Sequence, residues 1–205
     1  MKTIAKLISI ILHPVLIPMV LVVLFFNSDS YLYYMSFEIK RSIYLIIFIF
    51  TILIPLLTVP LAVKLGLIKS IEMDDHRERI IPLVNTIVSY LACSFFLMKL
   101  NLSRPVDIFV IKILVCGAIT LMMCLFISYK WKISIHMTGI GGAIGATIVS
   151  AIDFFADMHI VVIALIILAG ILGTSRLLLK AHSEYQLYSG FLLGFSVTLT
   201  SMLIL

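Results

Sequence analysis

Ser175-Arg176 is followed, after five intervening residues, by His182, and Gln186 comes four residues later. Arg176 offers a planar fork of donors suited to phosphate oxygens. His182 offers a ring nitrogen able to attack phosphorus, and Gln186 lies one turn on, where its side-chain oxygen can accept the other ring N–H and set the tautomer. Together they are equipment for phosphoryl transfer. The plain alternative is an arginine beside the membrane and an interfacial histidine.

Two further segments carry compatible residues. Lys130-Trp131-Lys132-Ile133-Ser134-Ile135-His136 leads into Gly139 and Gly141-Gly142. A histidine at that helix start can give a proton to a leaving group, and Ser134 can add a donor. The second segment, Lys69 to Pro82, is the cluster of mixed charge. There Lys69, Arg77 and Arg79 can complete a cationic cradle, with Asp75 and Glu78 expected to hold the guanidinium groups.

The elements that must position these residues are membrane spans. With 62% hydrophobic and 12% charged residues in a chain of 205, a soluble core could not hide the apolar surface. A bilayer core of about 30 Å needs roughly 20 apolar residues per helix. The hydropathy predicts seven spans, near 4–26, 43–63, 81–100, 107–128, 136–152, 159–175 and 187–205, as one all-α integral membrane domain over 1–205. By parity, the N-terminus and the connections 64–80, 129–135 and 176–186 share one side of the membrane, so all three clusters are expected there.

Of the fifteen Lys and Arg residues, ten fall on that side. The positive-inside rule would make it cytoplasmic. Ligand binding is a second reason to keep those cations, so the orientation stays open. The glycines at 139, 141, 142, 145, 170, 173, 190 and 194 predict close packing among the last three spans, with Gly190 and Gly194 leaving room beside the His182 ring. Pro14, Pro18, Pro55 and Pro60 predict bends or unwound turns in the first two.

Cys93, Cys116 and Cys124 fall inside spans without metal-type spacing and read as packing residues. His13 and His159 read as structural, and Asp153 and Asp157 as helix-end anchors. The net charge of +5 has no basic domain to carry nucleic-acid binding.

Ser175, Arg176 and His182 match the third motif, S-R-x5-H-x3-D, of the type-2 phosphatidic acid phosphatase superfamily, which the chain resembles over residues 69–194. Ile133-Ser134-Ile135-His136 is similar to its second motif, P-S-G-H, with isoleucine for both Pro and Gly. Lys69, Arg77, Arg79 and Pro82 resemble the first motif out of register. The resemblance implies a phosphatase core of six helices and a metal-independent reaction needing no cofactor. In it His182 is the nucleophile, His136 the acid and then the base, and Arg176 with Arg77 or Arg79 the clamp on phosphate, Ser134, Ser175 and Lys69 assisting. Gln186 stands where the motif has Asp, as in the branches resembling glucose-6-phosphatase and dolichyl diphosphatase.

The expected function is hydrolysis of a lipid phosphate, such as an isoprenoid diphosphate, a phosphatidate-like lipid or a lipid A type headgroup, in a bacterial inner membrane. Membrane lipids are the expected partners; the oligomeric state and the side of the site are open. A non-catalytic member that binds or translocates phospholipid is the alternative. A third reading, a prenyltransferase built on Glu72, Asp74 and Asp75, lacks a second acidic cluster on the same side. Lys99 to Pro105 imitates the first motif but falls across the bilayer from His136.

Overall fold

The computed structural model describes residues 1–69, 75–100 and 104–205. Glu72 and Asp74 of the acidic cluster, and residues 101–103 of the imitation motif, lie outside them. Among the described residues the regular structure is all helical, with α1 (Lys2–Ile11), α2 (Ile17–Phe26), α3 (Phe37–Ile47), α4 (Ile54–Lys64), α5 (Ile80–Leu100), α6 (Arg104–Ser128), α7 (Ile135–Asp153), α8 (His159–Leu178) and α9 (Glu184–Ile204). Taken with their connecting turns, they make seven stretches long and apolar enough to cross a membrane. The chain is an all-α integral membrane protein, and it divides into two compact units, Met1–Tyr34 with Ile133–Leu205, and Met35–Lys132.

The first unit is organised around α7 and α9, which run parallel with almost no side chain between them. A Cβ on Gly145 would stand 2.9 Å from Phe195 O, and one on Gly190 would stand 2.7 Å from Ser134 O. At Gly141 and Gly194 it would run into the backbone carbonyls of Phe191 and Thr138. In lipid, helices gain little by hiding apolar surface from one another, so close backbone approach supplies the attraction instead. The space expected beside the His182 ring at Gly190 and Gly194 is thus taken up by the α7 backbone. On α8 the prediction of close packing fails at Gly170, which has nothing within 4 Å of its Cβ position, while Gly173 meets the Met137 side chain at 3.7 Å.

Met137 and Ile140 of α7, Ala169 and Leu172 of α8 and Leu187 of α9 form a buried core, against which Ile8 and Leu12 pack. This core lies directly beneath the ends that carry the histidines.

The first span is not one helix. Pro14 has no N–H to continue the ladder and disfavours helical geometry in the residue before it. His13 accordingly sits at φ −68°, ψ 132°, and a short 3-10 turn, Pro14–Leu16, leads into α2. Such a break is tolerated at membrane depth only where freed backbone groups find partners.

In the second unit the span from α3 to α4 passes through a π-helical turn, Phe48–Leu53, just ahead of Pro55. The wide turn releases the Phe50 carbonyl, which accepts from Ser89 Oγ on α5. Pro60, by contrast, is carried inside α4 without ending it. Cys93, Cys116 and Cys124 are free thiols buried in their helices.

Candidate functional site

The end of the first unit where α7 and α9 begin is tied together by one backbone bond, Ser134 N–H to Gln186 O at 3.2 Å. Ser134 is fully buried. It caps α7, its Oγ accepting from Met137 N–H at 3.5 Å, and its carbonyl takes the Thr138 hydroxyl at 3.0 Å. Ser134, expected to serve phosphate, thus spends its Oγ on capping α7 and its N–H on joining two helices. That bond sets two helix N-termini side by side, and their partial positive charges favour an anion in front of them.

Helix α8 arrives from the opposite direction and ends in a tight turn. Lys180 takes the left-handed conformation at φ 52°, and Ala181 N–H returns to Arg176 O at 3.1 Å, the bond of a Schellman end. The chain enters α9 within three more residues. His182 is caught in this junction and is 8% exposed.

The sequence places Gln186 one turn along the same helix as His182; in the structure His182 precedes the cap residue Ser183, and a different device brings the two together. Gln186 is the third residue of α9 and its Oε1 reaches back to Ser183 N–H at 3.2 Å, one half of a capping box. The same oxygen stands 3.1 Å from His182 Nδ1. A carbonyl oxygen only accepts, so Nδ1 carries the proton and the ring lone pair lies on Nε2.

His136, in the first turn of α7, is fixed by the broken span. His13 N–H bonds to Ile10 O at 3.3 Å, so the break leaves Ser9 O without its helical donor. His136 Nε2 stands 3.1 Å from that oxygen and fills the vacancy. The proton is thereby assigned to Nε2, and Nδ1 is left for exchange. His136 thus meets the first span, and Gly139 accommodates Pro14, whose Cβ would stand 2.8 Å from an added methyl.

His13 belongs with this group. Its ring meets that of His136 edge to face, with centroids 5.2 Å apart and planes at 81°. Its Nδ1 accepts from Val15 N–H at 3.3 Å. The structural role expected of it is real, yet it also brings a third imidazole to the site. The signal in the sequence was an ionisable residue inside a span, next to a proline.

Arg176 lies in the last turn of α8, close enough to act electrostatically on both His13 and His136. Its Nε is buried with no hydrogen-bond partner, and among the described residues no ion pair to Arg176 is formed. A guanidinium N–H without an acceptor is costly to bury. An incoming oxyanion would satisfy it. His182 also acts on His136, so His136, Arg176 and His182 share one locality.

Ser175 is nearly buried, and its hydroxyl donates to Ile171 O at 2.8 Å. It marks the wall of an apolar groove of about 490 Å³ between α1 and α8, lined by Ile4, Ile8, Ile167, Gly170, Ile171 and Leu178 among others.

Lys69, Arg77 and Arg79 belong to the second unit. Lys69 and Arg77 are exposed; Arg79 is 8% exposed. Among the bonds made by the neighbouring carboxylates, Glu78 Oε1 accepts from Lys69 N–H at 3.4 Å, and Asp75 Oδ1 accepts from Arg77 N–H at 2.9 Å.

In the connection between α7 and α8, Asp157 accepts from the first N–H of α8, that of His159, at 3.2 Å. Its carboxyl is held below the ordinary range by the hydrogen bond from the His159 ring at 2.6 Å and by the His159 N–H. Both side chains are exposed. Among the described residues no group of His, Cys, Asp or Glu is arranged to hold a metal ion. The chain matches no protein-family model, no curated protein and no solved structure.

Proposed function

We propose that this protein is a membrane-embedded phosphatase that hydrolyses a phosphomonoester or diphosphate of a lipid through a phosphohistidine on His182. The observation that carries the reading is Arg176: a buried donor with no acceptor, beside histidines whose proton positions are assigned by fixed oxygen partners. Arg176 and the paired N-termini of α7 and α9 hold the phosphoryl oxygens. The Nε2 lone pair of His182 attacks phosphorus, and the bond to the leaving oxygen breaks. His136, which takes up a proton on Nδ1 together with the bound anion, gives that proton to the leaving oxygen, its Nε2–H still donating to Ser9 O. Water then attacks phosphorus, its proton goes to His136, and the N–P bond breaks to release phosphate. The expected setting is a bacterial inner membrane.

The test is phosphate release from phosphatidic acid and polyprenyl diphosphate by purified protein in nanodiscs, with and without Arg176→Gln. Losing one such donor is expected to lower kcat/KM by about 10²–10³-fold. Equal rates for variant and wild type would sink the reading.

The groove between α1 and α8 supports an amphiphilic substrate, because its lining is mostly apolar and includes Ser175, the residue next to Arg176. Gly170→Phe is expected to fill it at no cost to folding, since the position is open and glycine is a poor helix former. Turnover of a long-chain lipid phosphate should fall about tenfold, the share of a few buried methylenes, while a water-soluble aryl phosphate is unaffected. An equal effect on both substrates would remove the groove from the site.

Gln186 favours one other reading. An amide holds the His182 proton without offering a negative charge to the imidazolium, which suits a protein that binds lipid phosphate without turnover. Stoichiometric binding lost in Arg176→Gln, with no phosphate released by wild type, would select it.

A further inference from the structure

His13 has a place in this site that a helix cap does not require. Asn, Asp or Ser would cap the turn after a break as well; what histidine adds is an N–H at the far edge of an aromatic ring. The Val15 N–H occupies Nδ1, so in the neutral ring the proton sits on Nε2. Beyond that bond, the edge-to-face contact with His136 and the electrostatic reach of Arg176, His13 has no partner among the described residues. Nε2–H thus has no acceptor among the described residues; the ring is exposed and lies within electrostatic reach of Arg176, whose own Nε is buried without an acceptor. No carboxylate is among the groups acting on either His13 or His136.

The break itself is part of the device. An unbroken helix would hold Ser9 O within its own ladder and deny His136 its acceptor. It would also leave no extended residue at position 13 to set an imidazole across from another. One proline therefore fixes the His136 tautomer and brings up a third ring at the same time.

We propose that His13 is an oxyanion-binding residue of the site, donating from Nε2 to the anion that Arg176 holds. The inference rests on the phosphate reading and extends it: the site takes a tetrahedral oxyanion contacted from α7, α8 and α9, with the break in the first span supplying a further donor. It assigns His13 no proton transfer.

Full-length protein in nanodiscs is titrated with inorganic phosphate, for wild type, His13→Phe, His13→Gln and Arg176→Gln. Phenylalanine keeps the shape and the aromatic contact but has no N–H, and should weaken phosphate about tenfold or more, the effect of one hydrogen bond to a charged group. Glutamine places an N–H near the Nε2 position and should recover most of the binding. In protein labelled with ¹⁵N-histidine, phosphate should move the His13 Nε2 resonance, assigned by its absence from His13→Gln. Phosphate binding by His13→Phe equal to wild type, or a resonance that stays still at saturation, overturns the inference. If Arg176→Gln still binds as wild type does, the anion reading itself fails; if only the His13 variants are silent, that reading stands and this one falls. A His13→Phe protein that does not fold leaves the resonance and His13→Gln to decide.

Discussion

His182→Ala is expected to lower phosphate release by at least about 10³-fold, the scale on which removal of a nucleophile is felt. Binding of inorganic phosphate should survive, because Arg176 and the helix N-termini remain. The covalent intermediate offers a more direct readout. Acid-labile, alkali-stable phosphate should be trapped on wild type during turnover of a labelled lipid phosphate and be absent from His182→Ala. Turnover by the variant at the wild-type rate would end the covalent reading.

On the proposed reading, Gln186 sets how good a nucleophile His182 is. Gln186→Glu keeps an acceptor for both Ser183 N–H and His182 Nδ1–H, since glutamate serves the same capping position. It adds a negative charge that stabilises the imidazolium and raises the basicity of Nε2. The variant should be faster, with the acid limb of its pH–rate profile moved to higher pH. Gln186→Leu should lose about 10²-fold, having no group to hold the tautomer. A binding protein without turnover would show neither change.

The second large effect is expected in folding. Gly194→Ala places a methyl against the Thr138 carbonyl, and neither partner can yield, because both atoms belong to helix backbone. The helices must move apart, lengthening the bond from Ser134 N–H to Gln186 O that ties their ends. Overpacking of this kind costs about 3 kcal/mol or more where backbone is the obstacle. Thermal unfolding in detergent should show it, with lipid phosphatase activity lost in parallel. Gly170→Ala is the matched control: the same change on an open helix face should be neutral or stabilise by up to about 1 kcal/mol. If Gly194→Ala melts with wild type, the close pairing of α7 with α9 is not what holds this unit together.

The two glycine positions show how far a sequence can be read. Gly170 and Gly194 are indistinguishable as letters: each is a glycine within an apolar stretch, and each supports a prediction of helix contact. Only the rotation of each helix about its axis decides which faces a neighbour, and a rotation of one residue, 100°, reverses the answer. The same limit applies to His136. Its position at a helix start was evident, but which element it faced depended on a carbonyl released by a break in another span, 127 residues away.

The number and extent of the spans, and the all-helical class, follow from hydropathy alone, because lipid leaves the backbone no partners but its own. Composition likewise decides that the chain resides in a membrane. The grouping of Arg176, His182 and Gln186 was legible because all three stand within one short connection and its flanking turns. What tertiary structure decided is the rest of the site: that Ser134 is a tie between helices, that Arg176 Nε has no acceptor, and that His13 stands against His136. Each depends on contacts between spans far apart in the chain, where a single helix rotation or one unsatisfied carbonyl determines the outcome and sequence spacing carries no record of it.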